Sequence, residues 1–111
     1  MAVCSQIVLI MSLVIFLNIS ACSKREQQDE SVSIGQQIYK QNCKTCHAQG
    51  INGAPILGNK KMWSKRIPQG IETLIEHASN GYGLMPKKGG REDLTHEEIS
   101  EAVNYMVNKV K

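Results

Sequence analysis

The sequence predicts a small all-α domain, and three observations carry that prediction. In the last segment Ile99, Ala102, Val103, Met106 and Val110 recur at the spacing of one helical face. A second periodic stretch, Ser33 to Asn42, puts Ile34, Ile38 and Tyr39 on one side of a short helix. The chain also lacks the strands that a βαβ unit requires. Of its 111 residues, a first stretch of different character is set apart, which leaves one compact domain of roughly 75 to 80 residues. A unit that small buries little surface and usually needs a metal, disulfides or another covalent staple.

From Met1 to Ser23 there is no Asp, Glu, Lys or Arg, and every charged side chain falls at Lys24 or later. Ile7 to Ile19 is a run dominated by Ile, Leu, Val, Met and Phe, nearer to a signal-peptide core than to the ~20 residues of a membrane span. It ends in Ile19-Ser20-Ala21-Cys22, which resembles a bacterial lipobox. Residues 1–21 are therefore expected to be a lipoprotein-type signal peptide, with Cys22 lipidated as the new N-terminus. The polar residues 22–32 would form a flexible tether above a membrane surface. Met1 to Gln6 carries no Lys or Arg, so only the terminal amine supplies the positive charge such a leader needs. Cys4 is expected to leave with the leader. The folded domain then spans 33–111.

Cys43-Lys44-Thr45-Cys46-His47 is the most specific signal in the chain. In the C-x-x-C-H pattern two thiols on one helical turn add across the two vinyl groups of haem, and the adjacent histidine lies beneath the iron. His47 is the expected axial imidazole. The rivals for a bare CxxC are a thioredoxin-like redox pair or half of a zinc site. Zinc needs two further ligands, yet beyond His47 only the isolated His77 and His96 remain.

The other elements follow in order. Gly35 stands where one helix lets another cross closely, with Tyr39 and Tyr105 packing beside the contact. Ile71 to Asn80 reads as a helix with Ile71, Leu74, Ile75 and Ala78 in line, and His77 off that line is expected at the surface. Thr95 and Glu98 have capping-box spacing at the start of the last helix, which leaves His96 solvated in its first turn. For a sixth ligand, Met1 and Met11 belong to the leader and Met106 to the last apolar stripe. Met85 has the loop chemistry to reach the iron opposite His47: Gly81 and Gly83 permit unusual backbone angles and Pro86 stiffens the following bond. Met62 beside Trp63 stays open as an alternative.

Gly35, Tyr39, the Cys43–His47 motif, Gly53-Ala54-Pro55, Trp63, Gly83-Leu84-Met85-Pro86 and the terminal Tyr105-Met106 together resemble a class I c-type cytochrome, nearest to the cytochrome c-five-type subgroup. The resemblance covers roughly Ser33 to Lys111. It implies a small all-α fold around one covalently bound haem c, with crossing N- and C-terminal helices and one haem edge exposed. It also implies that the Pro55 carbonyl accepts the Nδ1 proton of His47, that Trp63 donates its indole N–H to a haem propionate, and that Arg66 offers a cation nearby. Members of the subgroup often carry a Cys pair after the Gly-Gly of the ligand loop. Here Gly89-Gly90 is followed by Arg91 and Leu94, so the loop is expected to be held by haem ligation and packing alone.

A histidine and a thioether fill both axial positions, which implies a single-electron carrier and not an enzyme. The implied partners are electron-donor and electron-acceptor proteins, with no small-molecule substrate. Lys60, Lys61, Lys65, Lys87 and Lys88 flank the expected haem edge and would steer an acidic partner. Net charge is only +3 and aromatics make up 5% of the chain, so nucleic-acid binding has no support. Export and the lipobox place the domain in the periplasm or on the outer face of a bacterial membrane. Two alternatives remain: a tethered haem subunit of an oxidoreductase complex, and a gas sensor or peroxidase-like site.

Overall fold

The computed structural model describes residues 34–111; the leader, Cys22 and the tether lie outside them. The described residues are helical apart from loops and one isolated antiparallel bridge, Tyr82 to Met85. Four helices frame the site. Helix α1 is the continuous helical segment 34–47, with a π-helical turn at Tyr39–Cys43 followed by an α-helical turn, Lys44–His47. The short α2 is Lys60–Trp63, α3 is Ile71–Asn80 and α4 is His96–Asn108.

Helix α1 crosses α4 at Gly35. A Cβ on Gly35 would run into the Glu101 carbonyl oxygen and sit 2.8 Å from its carbon and 3.0 Å from Tyr105 Cβ, so only glycine permits this approach. Beside the crossing the Tyr39 and Tyr105 rings pack with centroids 5.6 Å apart at 43°. The crossing centres the buried face of α1 on Gly35 and Tyr39. Ile38 joins that face, but Ile34, at its edge, is 42% exposed. That corrects the expectation that Ile34 shares the buried side.

Helix α4 starts at the expected capping box. Thr95 Oγ1 accepts the Glu98 N–H at 3.2 Å, and Glu98 Oε2 accepts the Thr95 N–H at 2.8 Å. This end is worth about 1 kcal/mol. The buried stripe of Ile99, Ala102, Val103 and Met106 is broadened by Tyr105 and Val107, and Val110 stays buried although it follows the helix. Helix α3 lies mainly against α4 and buries Leu74, Ile75 and Ala78. Gly70 and Gly81, with φ of 89° and 88°, mark its two ends.

Candidate functional site

His47 ends α1 and is buried at 8% exposure. Its Nδ1 lies 2.9 Å from the Pro55 carbonyl oxygen. The chain reaches Pro55 through a reversal at Gly50 and Asn52, with φ of 76° and 54°, and the Leu57 N–H then donates to the His47 carbonyl at 2.8 Å. A carbonyl only accepts, so Nδ1 carries the proton and Nε2 keeps its lone pair for a metal. Burial pushes the imidazole below its ordinary pKa, against the Pro55 bond, and the Arg66 charge pushes the same way as burial. The ring is thus held neutral, as a ligand must be.

Cys43 and Cys46 form no disulfide; both are half-buried, Cys43 one turn before His47 and Cys46 directly before it. Burial and the neighbouring Cys46 push the Cys43 thiol up to about 11. A redox dithiol of the thioredoxin type needs the opposite shift. Among the described residues no cluster of His, Cys, Asp or Glu comes together to hold a metal by itself.

Both cysteines and His47 line a cavity of about 600 Å³. Its walls are largely apolar: Ile38, Leu74, Ala78, Leu94, Ile99 and Val103 lie toward the core. Met85, half-buried, lines the same cavity from the loop after α3. There Tyr82 and Met85 exchange both backbone hydrogen bonds, at 3.0 and 2.9 Å. Gly83, with φ of 58°, supplies the positive angle a two-residue turn needs at its first central position. Met106 also borders the cavity, whereas Met62 and the exposed His96 do not. A paired thiol set, a neutral imidazole and a thioether on one apolar cavity fit a covalently attached haem.

Three expectations need correction. The Trp63 indole, buried and on the cavity wall, donates its N–H to the Ile56 carbonyl at 2.9 Å; with one donor on the ring, it is committed to closing the 56–63 turn and not to a propionate. Arg66 does line the cavity, and its guanidinium donates to the Met62 carbonyl at 2.6 Å. His77 is half-buried rather than at the surface: it lines the cavity and stacks on Tyr82. The loop after Met85 is held by more than ligation and packing. Arg91 donates to Asn42 Oδ1 at 2.7 Å, just before Cys43, and Lys88 Nζ donates to the Leu94 carbonyl at 2.6 Å.

Of the five lysines expected around the haem edge, Lys88 is thus occupied and Lys87 stands 3.9 Å from Glu92. Lys60, Lys61 and Lys65 are exposed. The cavity rim also carries exposed apolar side chains that sequence reasoning passed over, Ile51, Tyr82 and Leu84, the last 73% exposed. Only the flanking glycines hinted that these residues sit on turns.

An all-helical frame closed around such a cavity, with a Cys-x-x-Cys-His turn on one wall, defines a monohaem c-type cytochrome. Residues 30–106 match the family model described as cytochrome C oxidase, cbb3-type, subunit III. Cytochrome c-555 of Prosthecochloris aestuarii is 41% identical over 98 residues, 81% of this chain and 99% of that protein. Cytochrome c5 of Ectopseudomonas mendocina is 32% identical over 71 residues, covering 62% of this chain and 82% of the other. Among solved structures, a chain of an electron transfer complex of nitrite reductase with cytochrome c superposes with a TM-score of 0.67 at 33% identity, over 70% of this chain and 95% of that one. The chain belongs to the class I c-type cytochromes and carries a covalently bound haem c.

Proposed function

We propose that this chain is a periplasm-facing, lipid-anchored carrier of single electrons, with thioether bonds to Cys43 and Cys46 and with His47 and Met85 as the axial pair. The observation that carries the reading is the arrangement of the cavity: His47 offers a neutral Nε2 while Met85 lines the same space from a hairpin built by Gly81 and Gly83. His47 and Met85 would hold a haem there, which would supply one-electron chemistry; a soft thioether ligand would favour the ferrous state and raise the potential. The chain's own contribution is to fix the imidazole tautomer through Pro55, to exclude water with apolar walls, and to leave one rim open for electron exchange.

A redox enzyme with an acidic docking face is the partner that suits this rim. Exposed Lys60, Lys61 and Lys65 follow the turn bearing Ile51, and the structural neighbour comes from a complex with nitrite reductase. Among the described residues no helix is long and apolar enough to cross a membrane. Attachment is proposed at Cys22, on the sequence Ile19-Ser20-Ala21-Cys22. Residence in the periplasm or on the outer face of a bacterial membrane follows from that export signal.

Oxidised and reduced spectra of the mature protein, recorded through a potential titration, test the reading. The expected result is a single one-electron transition, a long-wavelength sulfur-to-ferric-iron band, and no carbon monoxide adduct of the ferrous form. Ready binding of carbon monoxide would point instead to a sensor or peroxidase-like site. A mature N-terminus other than a lipidated Cys22 would remove the anchor. The family model's description favours one second reading, a tethered subunit of an oxidoreductase complex, which co-purification with a larger membrane enzyme would reveal.

A further inference from the structure

Helix α3 ends where the hairpin bearing Met85 begins, and one side chain bridges the two. His77 lies in the last turn of α3, on the cavity wall. Its imidazole stacks on the Tyr82 ring, with centroids 4.0 Å apart and planes inclined by 20°. Tyr82 is 59% exposed, so its outer side meets solvent and the stack is a main restraint on the ring. The Tyr82 backbone in turn exchanges both hydrogen bonds with Met85, at 3.0 and 2.9 Å. Tyr82 cannot lift without carrying Met85 with it. Below the stack α3 is a firm base, because Leu74, Ile75 and Ala78 are buried against the core. The joint between base and hairpin is Gly81, whose φ of 88° and tight contacts, 3.0 Å to the Lys87 nitrogen and 3.1 Å to the Met85 oxygen for an added Cβ, leave room for no side chain.

We propose that His77, through its stack on Tyr82, is a positioning residue that holds the Met85 hairpin over the cavity and so sets how readily another ligand displaces the Met85 sulfur. The proposal rests on the reading of Met85 as an axial ligand. A face-to-face contact of this kind needs a flat aromatic ring at residue 77 and not a titrating group. His77→Phe therefore keeps the clamp and His77→Ala removes it. Tyr82→Phe keeps it from the other side and Tyr82→Ala removes it.

The test is a titration of the ferric holoprotein with imidazole, followed by loss of the sulfur-to-ferric-iron band, with thermal unfolding recorded alongside. His77→Ala and Tyr82→Ala should each raise the apparent imidazole affinity by about two- to twelve-fold, the range that one aromatic pair carries. The double alanine variant should gain no more than the larger single change, and both Phe variants should stay close to wild type. In a Met85→Ala background His77→Ala should change nothing, because there is no sulfur left to hold. Should His77→Ala fail to load haem, Tyr82→Ala at its exposed position carries the same comparison. An unchanged affinity in either alanine variant, additive effects in the double variant, or an equal gain in the Met85→Ala background would each overturn the clamp. Survival of the band in Met85→Ala itself would instead overturn the ligand reading, and the clamp with it.

Discussion

The crossing of α1 over α4 is the contact on which a single methyl group has the largest calculable effect. In Gly35→Ala the new Cβ meets the Glu101 carbonyl and Tyr105 Cβ, which lie 2.8 Å (carbonyl carbon) and 3.0 Å away. All of the close atoms are backbone or Cβ, so no side-chain rotation relieves the overlap. An ordinary carbon–oxygen contact needs about 3.3–3.6 Å, so the helices must part by about 1 Å. Overpacking of this kind costs ~1–3 kcal/mol, and parting the helices also removes part of the ~0.5–1.5 kcal/mol carried by the Tyr39–Tyr105 pair. Better helix propensity returns at most ~1 kcal/mol. The net destabilisation is ~1–3 kcal/mol, which lowers the melting temperature of a domain this size by about 4–8 °C for each kcal/mol. Thermal unfolding of the holoprotein by circular dichroism measures it. Gly58→Ala, away from the cavity lining, is the control: with φ of 79° and nothing within 4 Å of an added Cβ, it costs only backbone strain of ~1–2 kcal/mol and leaves the crossing intact. A Gly35→Ala protein as stable as wild type, or more so, would refute the close-packed crossing.

Other expectations concern the cavity and its loop. Met85→Ala should lower the potential, abolish the sulfur-to-iron band and open the ferrous form to carbon monoxide, while Met62→Ala, off the cavity, should keep the band; the reverse pattern would transfer the ligand role to Met62. Met106→Ala removes a side chain that is 5% exposed and should cost ~2–5 kcal/mol of stability with the band retained. Arg91→Ala breaks the bond to Asn42 and should speed hydrogen exchange of amides between Lys87 and Leu94 without speeding that of α4; equal rates in both proteins would show that the tie is idle. The Arg91 hydrogen bond holds the Asp93 carboxyl below its ordinary value. Its contribution is therefore complete above about pH 4 and is lost as pH falls through the lower folded value. The melting difference between wild type and Asp93→Asn should be present at neutral pH and shrink below pH ~4, and a difference constant with pH would count against the pair.

The parts legible in the sequence are those fixed by short-range rules. Thr95 and Glu98 announce the start of α4 because a capping box is complete within four residues. The line of Leu74, Ile75 and Ala78 announces α3 for the same local reason. The Cys43–His47 turn and Gly35 were readable because each residue type has few other uses at that spacing. What escaped depends on contacts between distant segments. Arg91 reaches Asn42 across 49 positions, and nothing in either residue's neighbourhood specifies the other. His77 looked exposed because it falls off the α3 stripe, yet the cavity supplies a second buried face that a single-stripe reading does not anticipate. Trp63 was expected to donate outward, to a haem propionate, and the Ile56 carbonyl that takes its N–H becomes available only once the 56–63 turn closes.

The missing Cys pair in the ligand loop gives these distant contacts a common meaning. A disulfide would tie the loop by one bond that survives any local fluctuation. Here the loop is tied at three separate points instead: Arg91 to Asn42 beside the Cys43–His47 turn, Lys88 to the Leu94 carbonyl before α4, and Tyr82 to His77 on α3. Two of these ties anchor to helices, α1 through Asn42 and α3 through His77, while the Lys88 tie closes the loop on its own end just before α4. Each is a single side-chain contact, and the loop also joins the core through buried Leu94 and the packed Met85. The strength of the proposed iron–sulfur bond is then a property of the loop's side-chain ties as well as of the ligand, and substitutions at Arg91 or His77 should tune it.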